Sequence, residues 1–358
     1  MSSRAIGRAS VPEPRPPVAV RRRRQRGPRW GRIAVVIIVV LGLCAGLGGF
    51  VYYKTIDGSL FRTDPFSQLT NGRPPKTVSG VQNILLVGTD RADPDAAAGD
   101  PSQARTDTII VMHIPSSHDR AYLVSIPRDT WVSVPEKATD TRCGNRRAKI
   151  NAAYAWGELP LLIRTVECFT DVRVDHVMQI DFAGFKDVVD ALGGIDMPIE
   201  ASITSIHPPY RQFTEGTMHL GGAEALDYVR QRKQFPDGDF ARMRHQQLLL
   251  KLLLDKAASG ETLTNPLKFN NFVNAMSKAV KVDQDFHLLD MALQFRGLRS
   301  NDLTFLTSPY LGTQDIAGED VVVSDRPRAL ALYAAMASDR MAQWARANLP
   351  SDPTPRPS

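Results

Sequence analysis

The chain has 358 residues, 43% of them hydrophobic, which is enough for one large domain or two ordinary ones with a self-sufficient core. Its formal charge of +6 and pI near 9.3 suggest a nucleic-acid binder until the charge is located. Residues 1–32 hold ten Arg and one acid, a local +9, so the remaining chain is 6 − 9 = −3 and the nucleic-acid reading is set aside.

Residues 1–32, rich in Pro and Arg, are expected to be a solvated cytoplasmic tail that sets topology and meets anionic lipid. Residues 33–53, "IAVVIIVVLGLCAGLGGFVYY", carry no charge over twenty-one positions, the length of one membrane-spanning helix. The basic flank before this run and Tyr52–Tyr53 after it orient the N-terminus inside and everything beyond Lys54 outside the cell. A cleaved signal peptide fits less well, because no small-x-small site follows the apolar run. In that exported portion Cys143 and Cys168 are an even pair, and a disulfide is expected between them. Neither sits in a C-x-x-C, so zinc is not expected.

Residues 54–79 read as a stalk. Then "NILLVG" (83–88), "TIIVMHI" (108–114) and "AYLVSI" (121–126) read as strands buried on both faces, and "VDHVMQI" (174–180) as a further strand. Helices are expected from "INAAYAWG" through "PLLIRTVECF", over 181–194 with Asp181 as N-cap, over "GAEALDYVRQR", and over "DFARMRHQQLLLKLLLDKAAS". In the 181–194 helix Phe182, Phe185, Val189 and Leu192 share a face, read first as core. Further helices are expected at 268–281, 287–296 and 326–348, strands at "LTFLTSP" and "DVVVS", and a tail at 349–358. This alternation predicts an α/β fold, a three-layer α-β-α domain around a mainly buried mixed sheet, preceded by one transmembrane helix. The domain core is placed at 80–256, with 257–348 completing it.

Four polar stretches interrupt the apolar pattern at strand or helix ends: Asp90–Arg91, Arg105 with Asp107, Arg128–Asp129, and "YVRQRKQFPDGDFARMRHQQ" (228–247). Taken singly, each reads as surface ion pairs. Together they place cations at the edge of a core, where an anion must offset their desolvation. Arginine's planar fork matches phosphate oxygens, and aspartates among arginines suit a Mg²⁺ shared with a pyrophosphate. Arg230 and Arg232 are two apart, so only an extended or terminal segment aims both at one ligand. Such equipment suits phosphoryl transfer. No G-x-S-x-G elbow is present, and His113, His118, His176, His207 and His219 read as structural or solvent-facing.

"GTDR", "RTDT", "SIPRDT", "KINAAYAWG", "DFAGFKDVVDALGGIDM" and "ALDYVRQR…GDFARMRHQQ", in this order behind one apolar span, resemble the LytR–CpsA–Psr family over about 80–256. The resemblance implies transfer of a glycan polymer, of teichoic acid or arabinogalactan type, from a polyprenyl-pyrophosphate carrier to peptidoglycan, with Mg²⁺ or Mn²⁺ as cofactor. It implies metal-associated carboxylates at Asp90 and Asp107. It also implies pyrophosphate contacts at Arg105, Arg128, Lys149, Arg230, Arg232 and Arg242, with Gln246 in the same site. Asp90, Asp107, Arg105 and Arg232 are the candidate catalytic residues, and Asp239 matches a place from which these arginines are oriented. His245 stands where the family often has Arg. The lipid tail is expected in a hydrophobic tunnel of the domain. A lipid-pyrophosphate hydrolase using the same site, and a non-catalytic lipid-linked-glycan binding protein or regulator, are the alternatives.

Overall fold

The computed structural model describes residues 58, 60–69, 71–89, 106–236, 238–287, 291 and 300–349. The expected membrane span at 33–53, both terminal tails, Asp90 and Arg105 lie outside the described residues. Among the described residues no helix is long and apolar enough to cross a membrane.

A seven-stranded mixed sheet organises the domain. Its strands are β1 (Phe61–Thr63), β2 (Gln82–Thr89), β3 (Thr106–Ile114), β4 (Ala121–Ser125), β7 (His176–Asp181), β12 (Val280–Asp283) and β13 (Leu303–Thr307). Their order is β1-β12-β7-β2-β3-β4-β13. The β2–β3–β4 meander is antiparallel, β7 is parallel to β2, and β13 is parallel to β4. Strand alternation sends Leu85, Val87, Ile109, Val111 and Val124 to one apolar cluster, and Ile84, Ile110, Ile114 and Leu123 to another. Both clusters are covered by helices, which is why these strands are apolar on both faces.

On the first face lie α1 (Ala152–Thr170) and α7 (Arg326–Ala337), through Tyr154, Leu162, Val166, Leu332 and Tyr333. Helix α1 is kinked at Gly157 and Glu158, ahead of Pro160, whose ring and missing N–H break the ladder. Cys143 and Cys168 are bonded, Cα–Cα 5.4 Å, and tie the end of α1 to the loop before β6 (Arg146–Lys149), which pairs with β5 (Trp131–Val134). Arg164, 2% exposed, donates to the carbonyl oxygens of Gly72, Asp140 and Thr141 and so pins the same loop from within.

On the second face lie α2 (Phe182–Ala191), α4 (Asp239–Ala257) and α6 (Pro266–Ala279), with α3 (Gly222–Arg230) against α2 and α5 (Gly260–Thr264) before α6. As expected, the Asp181 carboxylate caps α2, accepting from the Gly184 N–H at 2.8 Å. Two close approaches set the helix spacing: a Cβ on Gly184 would lie 2.6 Å from Ala279, and one on Gly222 2.3 Å from the Lys186 carbonyl oxygen. A third cluster fills the space between α2, α3, α4 and the ribbon of β8 (Ile195–Ile199) and β11 (Gly216–Leu220). The short β9 (Ile203–Thr204) and β10 (Gln212–Phe213) pair beside it. A hairpin of β14 (Tyr310–Ile316) and β15 (Glu319–Ser324) precedes α7.

Three expectations change. The segment 54–79, read as a stalk, supplies edge strand β1, parallel to β12, and buries Leu69 (3% exposed). The helix expected over 268–281 stops at Ala279, and Val280–Asp283 joins the sheet against β7, because β-branched Val280 and Val282 bury on alternate positions. The helix expected over 326–348 is broken at Ser338–Arg340, where Asp339 takes φ +57, into α7 and α8 (Met341–Asn348). The helix expected at 287–296 falls largely outside the described residues.

Candidate functional site

Between the second sheet face and helices α2, α3, α4 and α6 lies a cavity of about 410 Å³. Helix α4 shows how one stretch of sequence builds it. Arg242, Gln246, Leu249, Leu250, Leu253, Leu254 and Ala257 all line the cavity, and their spacing of three, four and seven keeps them on one helix face. That stripe is cationic and polar in its first turns and apolar thereafter. At 1.5 Å per residue, its length from 242 to 257 is about 22 Å. The adjoining side of α4 packs on the third cluster through Ala241, Leu248 and Leu252, with Leu249 and Leu253 shared between the two. His245, 3% exposed, packs its ring 4.8 Å from those of Tyr228 and Phe235, with Nε2 3.3 Å from the Glu200 carboxylate. His245, one turn after Arg242, is therefore turned to this cluster and does not line the cavity.

At the apolar end, Leu86, Met178, Ile180 and Val280 from the sheet meet Phe272 and Met276 of α6 and Phe185, Val188 and Leu192 of α2. Of the four residues expected to share a face of α2, Phe185 and Leu192 line the cavity. Val189 turns to the third cluster, and Val188 takes its place. The side chain of Phe182 is not described.

The polar end gathers residues that are far apart in sequence. Among the described residues it holds Asp107 and Thr108 from the start of β3, Arg128 after β4, Asp181 at the head of α2, and Arg230, Arg232, Arg242 and Gln246. Arg230 closes α3, and Gln231 after it is extended (φ −66, ψ 135), so the flanking arginines share a side while the Gln231 side chain is buried on the other. Arg128 donates through Nη1 to Asp107 Oδ1, with Nε 3.5 Å from Asp129 Oδ2. Thr108 Oγ1 donates to Gln246 Oε1 at 3.0 Å, fastening β3 to α4. Four guanidiniums against two carboxylates leave this end cationic beside apolar walls, an arrangement that an anion stabilises.

Lys149 does not line the cavity. Its Nζ is 4.0 Å from Asp129 and 3.6 Å from Glu319. The backbone places Asp239 as the first residue of α4, and its side chain is not described. Thr89, which precedes Asp90, pairs with Thr106, which precedes Asp107. Among the described residues no three His, Cys, Asp or Glu side chains cluster as a metal cage. Asp107 beside the arginines instead fits a divalent ion held by one or two carboxylates together with ligand phosphate oxygens. Sequence reasoning missed His207, which lines the cavity next to the arginines. No local motif marks it.

The geometry agrees with three comparisons. The profile of the LytR_cpsA_psr family matches residues 54–338. The cell wall biosynthesis protein LcpA of Corynebacterium glutamicum is 30% identical over 350 residues, covering 86% of this chain and 66% of LcpA. The polyisoprenyl-teichoic acid–peptidoglycan teichoic acid transferase TagU of Bacillus subtilis is 30% identical over 294 residues, covering 78% of this chain and 87% of TagU. The crystal structure of TagV from the same organism superposes with a TM-score of 0.60 at 28% identity, over 74% of this chain and 98% of TagV. With its profile matched over 54–338 and relatives at 30% identity over most of its length, the chain belongs to the LytR–CpsA–Psr family.

Proposed function

We propose that this chain is a membrane-anchored extracytoplasmic phosphotransferase. It moves a glycan polymer from a polyprenyl-pyrophosphate carrier to peptidoglycan and leaves a phosphodiester link. One observation carries the reading: a single cavity that is cationic at one end and apolar along the rest of α4. A ligand that satisfies both ends has a phosphate-bearing head and a long hydrocarbon tail. The name of TagU, which describes transfer from a polyisoprenyl carrier to peptidoglycan, supports the same chemistry. The apolar run at 33–53 and the exported cysteine pair support the placement outside the membrane.

In this reading Arg128, Arg230, Arg232 and Arg242 hold the pyrophosphate, with Gln246 and Thr108 keeping β3 and α4 in register. An acceptor hydroxyl attacks the glycan-side phosphorus, and the bond to polyprenyl phosphate breaks. The same guanidiniums stabilise the charge that gathers on the leaving phosphate. Asp107, together with Asp90, would hold Mg²⁺ or Mn²⁺, which when bound supplies further neutralisation of phosphate charge. Arg105 is assigned to the pyrophosphate and Asp239 to orienting the arginines by their motifs alone. Lys149 acts through Asp129, which flanks Arg128.

The test is incubation of the chain with a polyprenyl-pyrophosphate glycan, peptidoglycan oligomers and Mg²⁺, with products read by mass spectrometry. Glycan joined through phosphate to the oligomer, with polyprenyl monophosphate released, is the expected result. Free glycan phosphate without joined product would make the protein a hydrolase, and ligand bound without turnover would make it a carrier.

A further inference from the structure

The loop between β9 and β10 brings to the cavity a histidine that the preceding mechanism does not use. His207 lines the cavity with Arg230 and Arg232, and its Nδ1 lies 3.3 Å from Oδ1 of Asp227 on α3. Asp227 is 4% exposed and held from two other sides: Ser205 Oγ donates to it at 2.6 Å and Arg211 Nη1 at 3.2 Å. Gln231, fully buried, orients the group. Its Oε1 accepts from the Ile206 N–H at 3.3 Å and from Gln234 at 2.6 Å, so its Nε2 is the donor, 3.1 Å from His207 Nδ1. The two hydrogens on that Nε2 have nearer acceptors: Asp227 Oδ1 at 2.7 Å, Ser205 Oγ at 2.8 Å and the Asp227 carbonyl oxygen at 2.9 Å. The Asp227 carboxylate therefore takes the ring's Nδ1–H, which leaves the lone pair on Nε2. Among the described residues no hydrogen bond to Nε2 occurs, and the side chain keeps 28% of its surface exposed.

An imidazole whose tautomer and orientation are set by a buried carboxylate is the arrangement of a general base. We infer that His207 is the general base for the acceptor hydroxyl, an assignment that rests on the transferase reading above. As the hydroxyl oxygen forms its bond to the glycan-side phosphorus, its proton passes to His207 Nε2. The P–O bond to polyprenyl phosphate breaks, and the electron pair leaves with that phosphate. Asp227 offsets the imidazolium charge until the proton returns to solvent. Gln231, whose amide orients this group, stands between Arg230 and Arg232 in sequence.

The experiment uses the full chain in detergent with Mg²⁺, a polyprenyl-pyrophosphate glycan and peptidoglycan oligomers. His207→Asn keeps an amide N–H to offer Asp227 but has no base at the Nε2 position. It should lower kcat by about 10²–10⁴-fold, with KM for the lipid substrate within about twofold of wild type. The thermal midpoint should hold, and the acidic limb of the kcat–pH profile should disappear. The charged groups nearest the ring are Asp227 and its partner Arg211, with Arg230 and Arg232 on the same cavity lining. If His207→Asn is unstable, His207→Ala with added imidazole replaces it, and recovered turnover is the expected result. An unchanged kcat, a persisting acidic limb or failure of imidazole rescue would overturn the assignment. If wild type released only free glycan phosphate, the transferase reading would fall. The same variant, with water as nucleophile, would then still decide His207: a matching loss supports it and no loss rejects it. A wild-type chain without any turnover would overturn both.

Discussion

Arg242→Ala should separate the cationic end of the cavity from the apolar end. Arg242 is 5% exposed and lines the cavity one helical turn before Gln246. A hydrogen bond to a charged partner is worth about 1.5–3 kcal/mol, and a guanidinium offers two to one phosphate. Arg128, Arg230 and Arg232 line the same end and recover part of the loss. A net penalty of about 3 kcal/mol remains, close to 10²-fold in Kd. In the empty protein the substitution removes one of four clustered cations while also losing packed methylenes, so stability should shift by no more than about 1 kcal/mol. Arg242→Lys keeps the charge without the fork and should weaken binding about tenfold. Calorimetric titration of full-length protein with a polyprenyl pyrophosphate, and with the matching uncharged polyprenol, reads the effect. Only the pyrophosphate should lose affinity. An equal loss for both lipids, or none for either, would refute the division of labour along α4.

Three further outcomes are expected. Lys149→Ala, whose ammonium meets Asp129 and Glu319 and does not line the cavity, should lower transfer far less than Arg232→Ala, and equal losses in a turnover assay would place Lys149 on the substrate. Burial of His113, against weaker opposition from Asp339 and Asp175, depresses its imidazole to about 4. Its neutral-ring stability is complete above the unfolded value of about 6.5 and is lost as pH falls toward 4. The stability difference between wild type and His113→Gln, followed by denaturant titration, should therefore shrink by up to about 3 kcal/mol across that window, and a flat difference would contradict the burial argument. Replacing Cys143 and Cys168 by Ser opens a link of sequence separation 25 and should cost about 3 kcal/mol in the same titration.

Much of the sheet was legible because β2, β3 and β4 are apolar on both faces, a pattern that a covered strand requires, and β7 was legible as a short β-branched run. The cap of α2 was legible from Asp181 and the glycines after it. The helix read through Arg232 instead ends at Arg230, where extended Gln231 lets both arginines line one cavity, the condition that their spacing of two had set. Where the sequence misled, a longer-range contact decided. "AVKVD" continues a helical pattern, yet pairing with β7 turns Val280–Asp283 into a strand. The choice between Val188 and Val189 depends on α3 and β8 crowding one side of α2, which no single-helix pattern shows. His207 gains its meaning from Asp227, twenty residues on, and from a loop that folds back over α3. Lys149 matched a motif, and its ammonium lies 4.0 Å from the carboxylate of Asp129, the neighbour of Arg128.

The central claim is that one ligand spans both ends of the cavity. A crystal structure of the full chain with a polyprenyl pyrophosphate and Mg²⁺ tests it most directly. The two phosphates should lie among Arg128, Arg230, Arg232 and Arg242, and the hydrocarbon should run along Leu249, Leu250 and Leu253 toward Phe272 and Met276. Phosphates bound elsewhere, or a chain lying outside the space between α4 and α6, would contradict it.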